Sequence, residues 1–144
     1  MKIAIGSDHG GFALKERVVA YLQEKGYEYE DMGCYSRESV DYPAFGHAVA
    51  HAVAEGRCDR GIVICTTGIG ISISANKVPG IRCALCGDSF SAKMTRLHND
   101  ANVLAMGAGI VGENLALEIT ETFLQTEFSK DARHQRRIDL IEQV

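Results

Sequence analysis

The sequence lacks the features that mark several large classes of protein. No apolar run approaches the ~20 residues that span a membrane, and the amino terminus has no signal-peptide layout. The net charge is −4 and no basic face stands out, so nucleic acid is not an expected partner. Internal repeats, low-complexity stretches and linkers are also absent. We therefore expect one soluble, cytoplasmic domain covering residues 1–144, a length that suits a single full core.

Cysteine is present, but in no pattern that marks a disulfide framework or a metal site. The five cysteines are odd in number and irregularly spaced, which disfavours a disulfide framework. Cys83 and Cys86 form a CxxC pair inside an apolar, strand-like run. Residues three apart on a strand point to opposite faces, and no second Cys or His pair stands at zinc-finger spacing. The pair is therefore not expected to bind metal or to act as a redox motif.

Strand-like apolar runs alternate with amphipathic helical stretches along the whole chain. This alternation is typical of an α/β fold with a parallel sheet and right-handed crossovers. We predict a three-layer, doubly wound α/β/α fold with five strands in the order 2-1-3-4-5, and a ligand crevice between the first and third strands. The predicted strands are 2–6, 27–32, 60–65, 81–85 and 103–106; the predicted helices are 12–25, 43–55, 71–76, 88–97, 112–125 and 131–141.

The stretch from Gly61 to Ser72 places Cys65 at the end of the third predicted strand. A Gly-rich turn and a helix start follow directly. Small residues let a backbone approach a ligand closely, and free N–H groups at a helix N-terminus attract anions and favour a thiolate. A buried structural role for Cys65 is the alternative. Two threonines and two glycines in the turn favour a functional role.

Other polar residues stand where strands or helices end. Asp8 and His9 follow the first strand, so the crevice would bring them near Cys65; a plain helix cap is the alternative for Asp8. His98 follows the fourth helix, where a histidine often only interacts with the helix dipole. Arg133 and Arg137 share one helix face. Two guanidinium groups suit a phosphate, and a solvated basic face is the alternative.

Six collinear motifs identify a family that the chain resembles over nearly its whole length. The chain resembles the type B ribose-5-phosphate isomerases, a family that also contains the galactose-6-phosphate isomerase subunits. The motifs are Gly6-Ser7-Asp8-His9-Gly10-Gly11-Phe12, Asp41-Tyr42-Pro43, the run from Cys65 to Lys77, Gly80-Ile81-Arg82, the run from His98 to Ala105, and Arg133-His134-x-x-Arg137.

The resemblance implies an aldose–ketose isomerase that works through an enediolate without a metal or organic cofactor. It implies that Cys65 is the base that moves a proton between C1 and C2, with Thr67 as its hydroxyl partner. His98 is implied as the acid that opens the furanose ring. The implied anion hole consists of the backbone N–H groups of Thr66, Thr67, Gly68, Ile69 and Gly70.

The resemblance also assigns the groups that hold the substrate. Asp8 and His9 are implied to hold the sugar end and the phosphate side, and Asn99 to bind a sugar oxygen. Tyr42 lines the cleft, and Arg133 with Arg137 clamps the phosphate. In this family a second subunit completes the site, which implies a homodimer or a tetramer with shared sites. The last helix, about 131–142, is then expected to reach a partner subunit.

Three positions depart from the usual family pattern. Thr66 stands where the family usually has Gly, which predicts a narrower pocket. Gly109 stands where the family commonly has Arg, which removes a cation and leaves the phosphate grip and the exact substrate open. Asp131-Ala132 replaces a usual Gly-Gly, which predicts an altered presentation of the clamp helix.

Other function classes fit the sequence less well. A cysteine phosphatase needs an Arg six residues after the cysteine, where this chain has Ile71. A nucleotide-binding module would need Gly-Lys-Ser/Thr after the loop or GxGxxG after the first strand, and neither is present. Binding of a phosphate without turnover stays open. Within the family, ribose 5-phosphate is the expected substrate, and allose 6-phosphate and galactose 6-phosphate are the alternatives.

Overall fold

Five parallel strands and six helices alternate along residues 1–144 in the computed structural model. None of the helices is long and apolar enough to cross a membrane. Every predicted strand and helix is present, with boundaries that move by at most two residues. The elements are β1 (Lys2–Ser7), α1 (Phe12–Glu24), β2 (Glu28–Asp31), α2 (Tyr42–Ala54), β3 (Arg60–Cys65), α3 (Ile69–Ala75), β4 (Cys83–Leu85), α4 (Ser89–Asn99), β5 (Val103–Gly107), α5 (Glu113–Gln125) and α6 (Ala132–Ile141).

The strands run in the order β2-β1-β3-β5-β4, which confirms the α/β class and corrects the predicted order 2-1-3-4-5. The last two strands are exchanged. β5 is buried along its whole length and lies in the sheet interior, whereas β4 has three residues, none of them buried, and forms the edge. A short, partly exposed strand is suited to an edge because fewer of its backbone groups stay unpaired.

The strand order decides which face each helix covers. Because crossovers are right-handed, a helix that connects a strand to one on its left covers one face of the sheet, and a helix that connects to a strand on its right covers the other face. Helices α1 and α4 therefore pack with α5 on one face, around Ile62 and Ile64 of β3. Helices α2 and α3 cover the other face, around Val63 and Cys65. Cys65 thus points toward α3.

The two cysteines of the CxxC pair lie on opposite faces of the sheet, as predicted. Cys86 belongs to the core on the α1 side, and Cys83 packs against the core on the α3 side. Burial raises the pKa of both thiols, that of Cys86 to about 11. The side chain of Asn76 closes the free edge beside them: its amide donates to the Cys83 carbonyl at 2.9 Å and accepts from the Cys83 N–H at 2.8 Å.

A buried lysine joins α1 to the end of β2. The side chain of Lys15 is 0% exposed, and its Nζ donates to Asp31 Oδ2 at 2.6 Å and Oδ1 at 2.8 Å. Asp31 Oδ1 also accepts from the Gly33 N–H at 2.8 Å, and the Tyr35 hydroxyl donates to the Asp31 carbonyl at 2.8 Å. This pair therefore fixes the start of the loop that connects β2 to α2.

We expect Asp31→Ala to destabilise the protein by about 3 kcal/mol, because it leaves the Lys15 ammonium buried without a partner. The matched control is Glu16→Ala, which removes an acid 3.3 Å from the same ammonium but with 54% of its side chain exposed. That change is expected to cost below ~1 kcal/mol. Urea unfolding at one fixed protein concentration measures both. Equal losses for the two variants would show that Asp31 does not hold the buried charge.

Candidate active site

Cys65 ends β3 with its sulfur held by the loop that follows. The Gly68 N–H donates to Cys65 Sγ at 3.1 Å, and the cysteine is 5% exposed. Gly68 makes this contact from the left-handed region, at φ 77°, and α3 begins at the next residue. The loop therefore places a backbone N–H donor directly at the sulfur.

Thr67 lies beside the cysteine with a hydroxyl that is only partly used. Its Oγ1 accepts from the Ile69 N–H at 3.2 Å, and its side chain is exposed. The hydroxyl proton therefore stays available to donate. The amides of Gly68 and Ile69 both have acceptors inside the loop, so the predicted run of anion-binding amides is partly engaged within the chain.

Asp8 and His9 lie on the turn after β1, which neighbours β3. Asp8 Oδ1 accepts from the Gly11 N–H at 3.0 Å, and Gly11 itself is the N-cap of α1. Asp8 therefore closes a turn rather than capping the helix. His9 Nδ1 accepts from the Val40 N–H at 3.2 Å. A neutral imidazole that accepts at Nδ1 carries its proton on Nε2, so His9 can donate from Nε2.

Tyr42 completes this side of the site. A Cβ added to Gly70 would come within 2.6–2.7 Å of the Tyr42 ring and 2.9 Å of its hydroxyl, so the ring lies directly on the first turn of α3. We name the cysteine half-site as the set at the carboxyl ends of β1 and β3: Asp8, His9, Tyr42, Cys65, Thr66, Thr67, Gly68, Ile69 and Gly70.

The remaining predicted site residues form a second group, the arginine half-site: His98, Asn99, Arg133 and Arg137. His98 lies in the last turn of α4 and stacks on His134 of α6, with ring centroids 4.2 Å apart and planes at 19°. Arg133 and Arg137 are exposed on α6. The stack therefore fixes how α6 presents its two arginines relative to His98.

The histidine stack carries an electrostatic signature. Desolvation lowers the pKa of His134, and the neighbouring charges of His98 and Arg133 lower it further. Asp131 begins α6 by accepting from the Arg133 N–H at 2.8 Å, and its carboxylate lies 3.6 Å from Arg133 Nη2. The Asp131-Ala132 departure thus gives α6 a side-chain cap and gives Arg133 an acid inside its own chain.

Within one chain the cysteine half-site lies at the carboxyl ends of the strands, and the arginine half-site lies at their amino ends. Cys65 pairs with Gly107 at the carboxyl ends of β3 and β5. Asn99 lies at the amino ends of the strands. Its carbonyl accepts at 2.8 Å from Nε of Arg82, the residue that directly precedes β4. The six residues of β3 separate the amino and carboxyl ends of the strands by about 16 Å, at a rise of ~3.3 Å per residue. The structure therefore brings the predicted residues together in two groups, not one.

Two family departures touch each other beside the cysteine half-site. A Cβ at Gly109 would meet the Thr66 carbonyl at 3.1 Å and the Thr66 methyl at 3.3 Å, and the Thr66 hydroxyl lies against Gly10. A pocket of about 390 Å³ opens here, with Glu113 as the one charged residue in its lining. No group of three or more His, Cys, Asp or Glu side chains is arranged to hold a metal ion.

Comparison with known proteins identifies the family of the chain. The family model described as Ribose/Galactose Isomerase matches residues 3–141. The chain belongs to this family. Its relatives include the "Putative sugar phosphate isomerase YwlF" of Bacillus subtilis, 55% identical over 98% of this chain and 95% of that protein. The "Ribose-5-phosphate isomerase B" of Escherichia coli is 49% identical over 97% and 93%.

A solved structure supports the fold of this isomerase family member. The Ribose-5-Phosphate Isomerase B of Clostridium thermocellum superposes with a TM-score of 0.97 at 57% identity, covering 99% of this chain and 95% of that one. The similarity extends over both half-sites, because it covers nearly the whole chain.

Two contributors to the site were not identified from the sequence. The Val40 N–H that orients His9 is a backbone group on a loop, and no side-chain pattern marks it. His134 was part of a family motif but had no assigned role. A signal for it exists: His134 and Ile138 stand four apart and are both buried, so they mark the face of α6 that packs inward.

We expect Gly68→Ala to remove most activity, because a Cβ there would lie 2.8 Å from the Met106 carbonyl carbon and 2.9 Å from the Gly107 nitrogen. The matched control is Gly26→Ala, which has the same φ of 77° with nothing within 4 Å. That control carries the left-handed strain alone, about 1–2 kcal/mol. Turnover and unfolding measured side by side test the idea. An active Gly68→Ala enzyme would contradict the assigned geometry around Cys65.

Proposed function

We propose that the protein interconverts ribose 5-phosphate and ribulose 5-phosphate by moving one proton between C2 and C1 of the open-chain sugar. The observation that carries the proposal is the Gly68 N–H aimed at Cys65 Sγ at the end of β3, in a chain of the ribose/galactose isomerase family. The relatives from E. coli and C. thermocellum are both named ribose-5-phosphate isomerase B, which favours the five-carbon substrate over allose or galactose 6-phosphate and over binding without turnover.

The proton transfer conserves every atom and electron of the substrate. The Cys65 thiolate takes the proton from C2, the C–H electrons form the C1–C2 double bond, and the carbonyl electrons move to O1. The resulting enediolate then receives a proton at C1 while the O2 proton passes to O1, which yields the ketose. Loop amides and the Thr67 hydroxyl stabilise the charge that develops. Preorganised donors of this kind are worth ~3–4 kcal/mol each.

The other side chains bind and prepare the sugar. Asp8 has one carboxylate oxygen left after its bond to Gly11, and it accepts from a sugar hydroxyl. His9 donates from Nε2 to the substrate. From the arginine half-site, His98 protonates the ring oxygen to open the furanose, and Asn99 binds a sugar oxygen.

Arg133 and Arg137 grip the phosphate, and Tyr42 lines the cleft. Both arginines are exposed and lie one helical turn apart on α6, so their guanidinium groups can form charge-assisted hydrogen bonds to one dianion. The cysteine half-site and the pocket beside it supply no lysine or arginine for this task. The phosphate contact therefore belongs to α6.

We further propose that each site is shared between two copies of the chain. The cysteine half-site of one copy would face the arginine half-site of the other, because within one chain the two groups lie at opposite ends of the strands. An isologous dimer builds two such sites at once. Exposed apolar side chains near the carboxyl ends of the strands supply a surface for the second copy: Ile69, Ile73, Leu85, Phe90 and Ile110.

Cys65→Ala should leave the fold intact and lower turnover of ribose 5-phosphate by about 10²–10⁴-fold, the contribution of a positioned base. The matched control is Cys83→Ala, which removes another partly buried thiol away from the loop and should retain activity. A coupled assay with ribose 5-phosphate, allose 6-phosphate and galactose 6-phosphate measures both and fixes the preferred sugar. Near-normal turnover by folded Cys65→Ala protein would refute the role of Cys65.

Mixing two inactive variants should restore activity if the sites are shared. Cys65→Ala is mixed with the double variant Arg133→Ala/Arg137→Ala under conditions that exchange subunits. Random mixing gives about half mixed dimers, each with one intact site, so roughly a quarter of all sites recover by two-fold symmetry. Activity that stays at the sum of the parents, with exchange verified by mass spectrometry, would show that each chain completes its own site.

A further inference from the structure

Arg96 is a buried arginine at the base of the arginine half-site. It is 1% exposed, lies in the last third of α4, and has its guanidinium carbon 5.7 Å from the centre of the Phe123 ring. It points into the core rather than toward solvent, so it has no access to a substrate. A fully buried guanidinium is costly unless its donors are satisfied.

Nε and Nη1 of Arg96 donate to groups from two different segments. Nε donates to the Thr126 carbonyl at 3.1 Å, just after α5 ends. Nη1 donates to Asp100 Oδ1 at 2.7 Å and to the Ala101 carbonyl at 2.5 Å, in the turn that follows α4. One planar group therefore joins the turn between α4 and β5 to the start of the connection to α6.

These segments carry the arginine half-site. His98 and Asn99 occupy the end of α4, between Arg96 and the turn at Asp100, where the backbone is left-handed at φ 44°. The connection after Thr126 is tied back by the Ser129 N–H, which donates to the Leu97 carbonyl at 3.3 Å. It then leads directly into α6, whose His134 stacks on His98. A shift at Arg96 would therefore move both the histidine and the two arginines.

We propose that Arg96 is a positioning residue that sets the arginine half-site for catalysis in the partner subunit. The inference rests on the proposed shared site. A lysine would keep the charge but lose the planar fork that reaches three acceptors. Displacement of catalytic groups by ~1 Å can cost about 10²-fold in rate, so Arg96→Lys should lower kcat/KM by about ten- to a hundredfold.

A matched control separates positioning from loss of core stability. Phe123→Leu removes part of the ring beside the same guanidinium and leaves the polar contacts in place. Both variants are measured for thermal unfolding and for kcat/KM with ribose 5-phosphate. Arg96→Lys should lose far more activity than Phe123→Leu at a comparable loss of stability. Equal activity losses, or a fully active Arg96→Lys protein, would overturn the proposal.

Subunit mixing then tests which half-site Arg96 serves. Arg96→Lys mixed with Cys65→Ala should recover roughly a quarter of wild-type activity, whereas Arg96→Lys mixed with Arg133→Ala/Arg137→Ala should recover none beyond the parents. The reference mixture of Cys65→Ala with Arg133→Ala/Arg137→Ala reports on sharing itself. Recovery in the reference but not with Arg96→Lys would overturn the role of Arg96 alone. Failure of the reference would refute sharing and, with it, the action of Arg96 on a partner's site.

A second variant keeps the test decisive if Arg96→Lys does not fold. Asp100→Gly removes the carboxylate partner of Arg96, and glycine tolerates the left-handed backbone at that position. This variant should show the same pattern of recovery with Cys65→Ala. A fully active Asp100→Gly protein, or a folded one that Cys65→Ala does not rescue, would count against the proposal.

Discussion

The direction of the chain in a parallel sheet is the constraint on which the rest of this structure depends. All parallel strands have their carboxyl ends on the same side of the sheet, so each connecting helix must return the chain to the side where the strands begin. Cys65 ends a strand and His98 lies in the last turn of a helix, so the two are held apart by the length of β3. The proposed chemistry needs both groups, and the two-fold symmetry of the proposed dimer would bring them together twice.

One buried cationic side chain lies beneath each half-site. Lys15 lies beneath the loops on the β1 side and pairs with Asp31, whereas Arg96 lies beneath the end of α4 and pairs with Asp100. In both cases a helix side chain reaches a carboxylate outside its own helix or at its end, and Arg96 also donates to the Ala101 and Thr126 carbonyls. Such pairs contribute little net stability because desolvation offsets the attraction. Their geometric effect is larger, because a displaced loop would leave a buried charge without its partner.

Local pattern in the sequence was sufficient for the elements but not for their arrangement. Apolar periodicity and glycine punctuation located all eleven elements, and β3 was predicted with its observed bounds. The order of β4 and β5 was wrong because both runs are apolar, and only length and burial in the assembled sheet distinguish edge from interior. The family resemblance supplied the site residues, but it left open that His98 and Asn99 lie with Arg133 and Arg137 rather than with Cys65. That division follows from the direction of α4, which runs from the carboxyl ends of the strands back to their amino ends.

If the proposed shared site is correct, the distribution of charged residues makes substrate binding depend on assembly. A sugar phosphate brings a dianion, yet the cysteine half-site offers His9 and the carboxylate of Asp8, and the pocket beside Thr66 and Gly109 is lined by one charged residue, Glu113. Adding a side chain at Gly109 would crowd Thr66, so the two departures from the family pattern are coupled in space. In the proposed site the phosphate charge is therefore left to Arg133 and Arg137, and Asp131 lies 3.6 Å from the first of them. In the proposed site a phosphate would have to displace that exposed carboxylate to engage Arg133 fully, whereas Arg137 has no such competing acid, so we expect Arg137 to hold the phosphate more firmly.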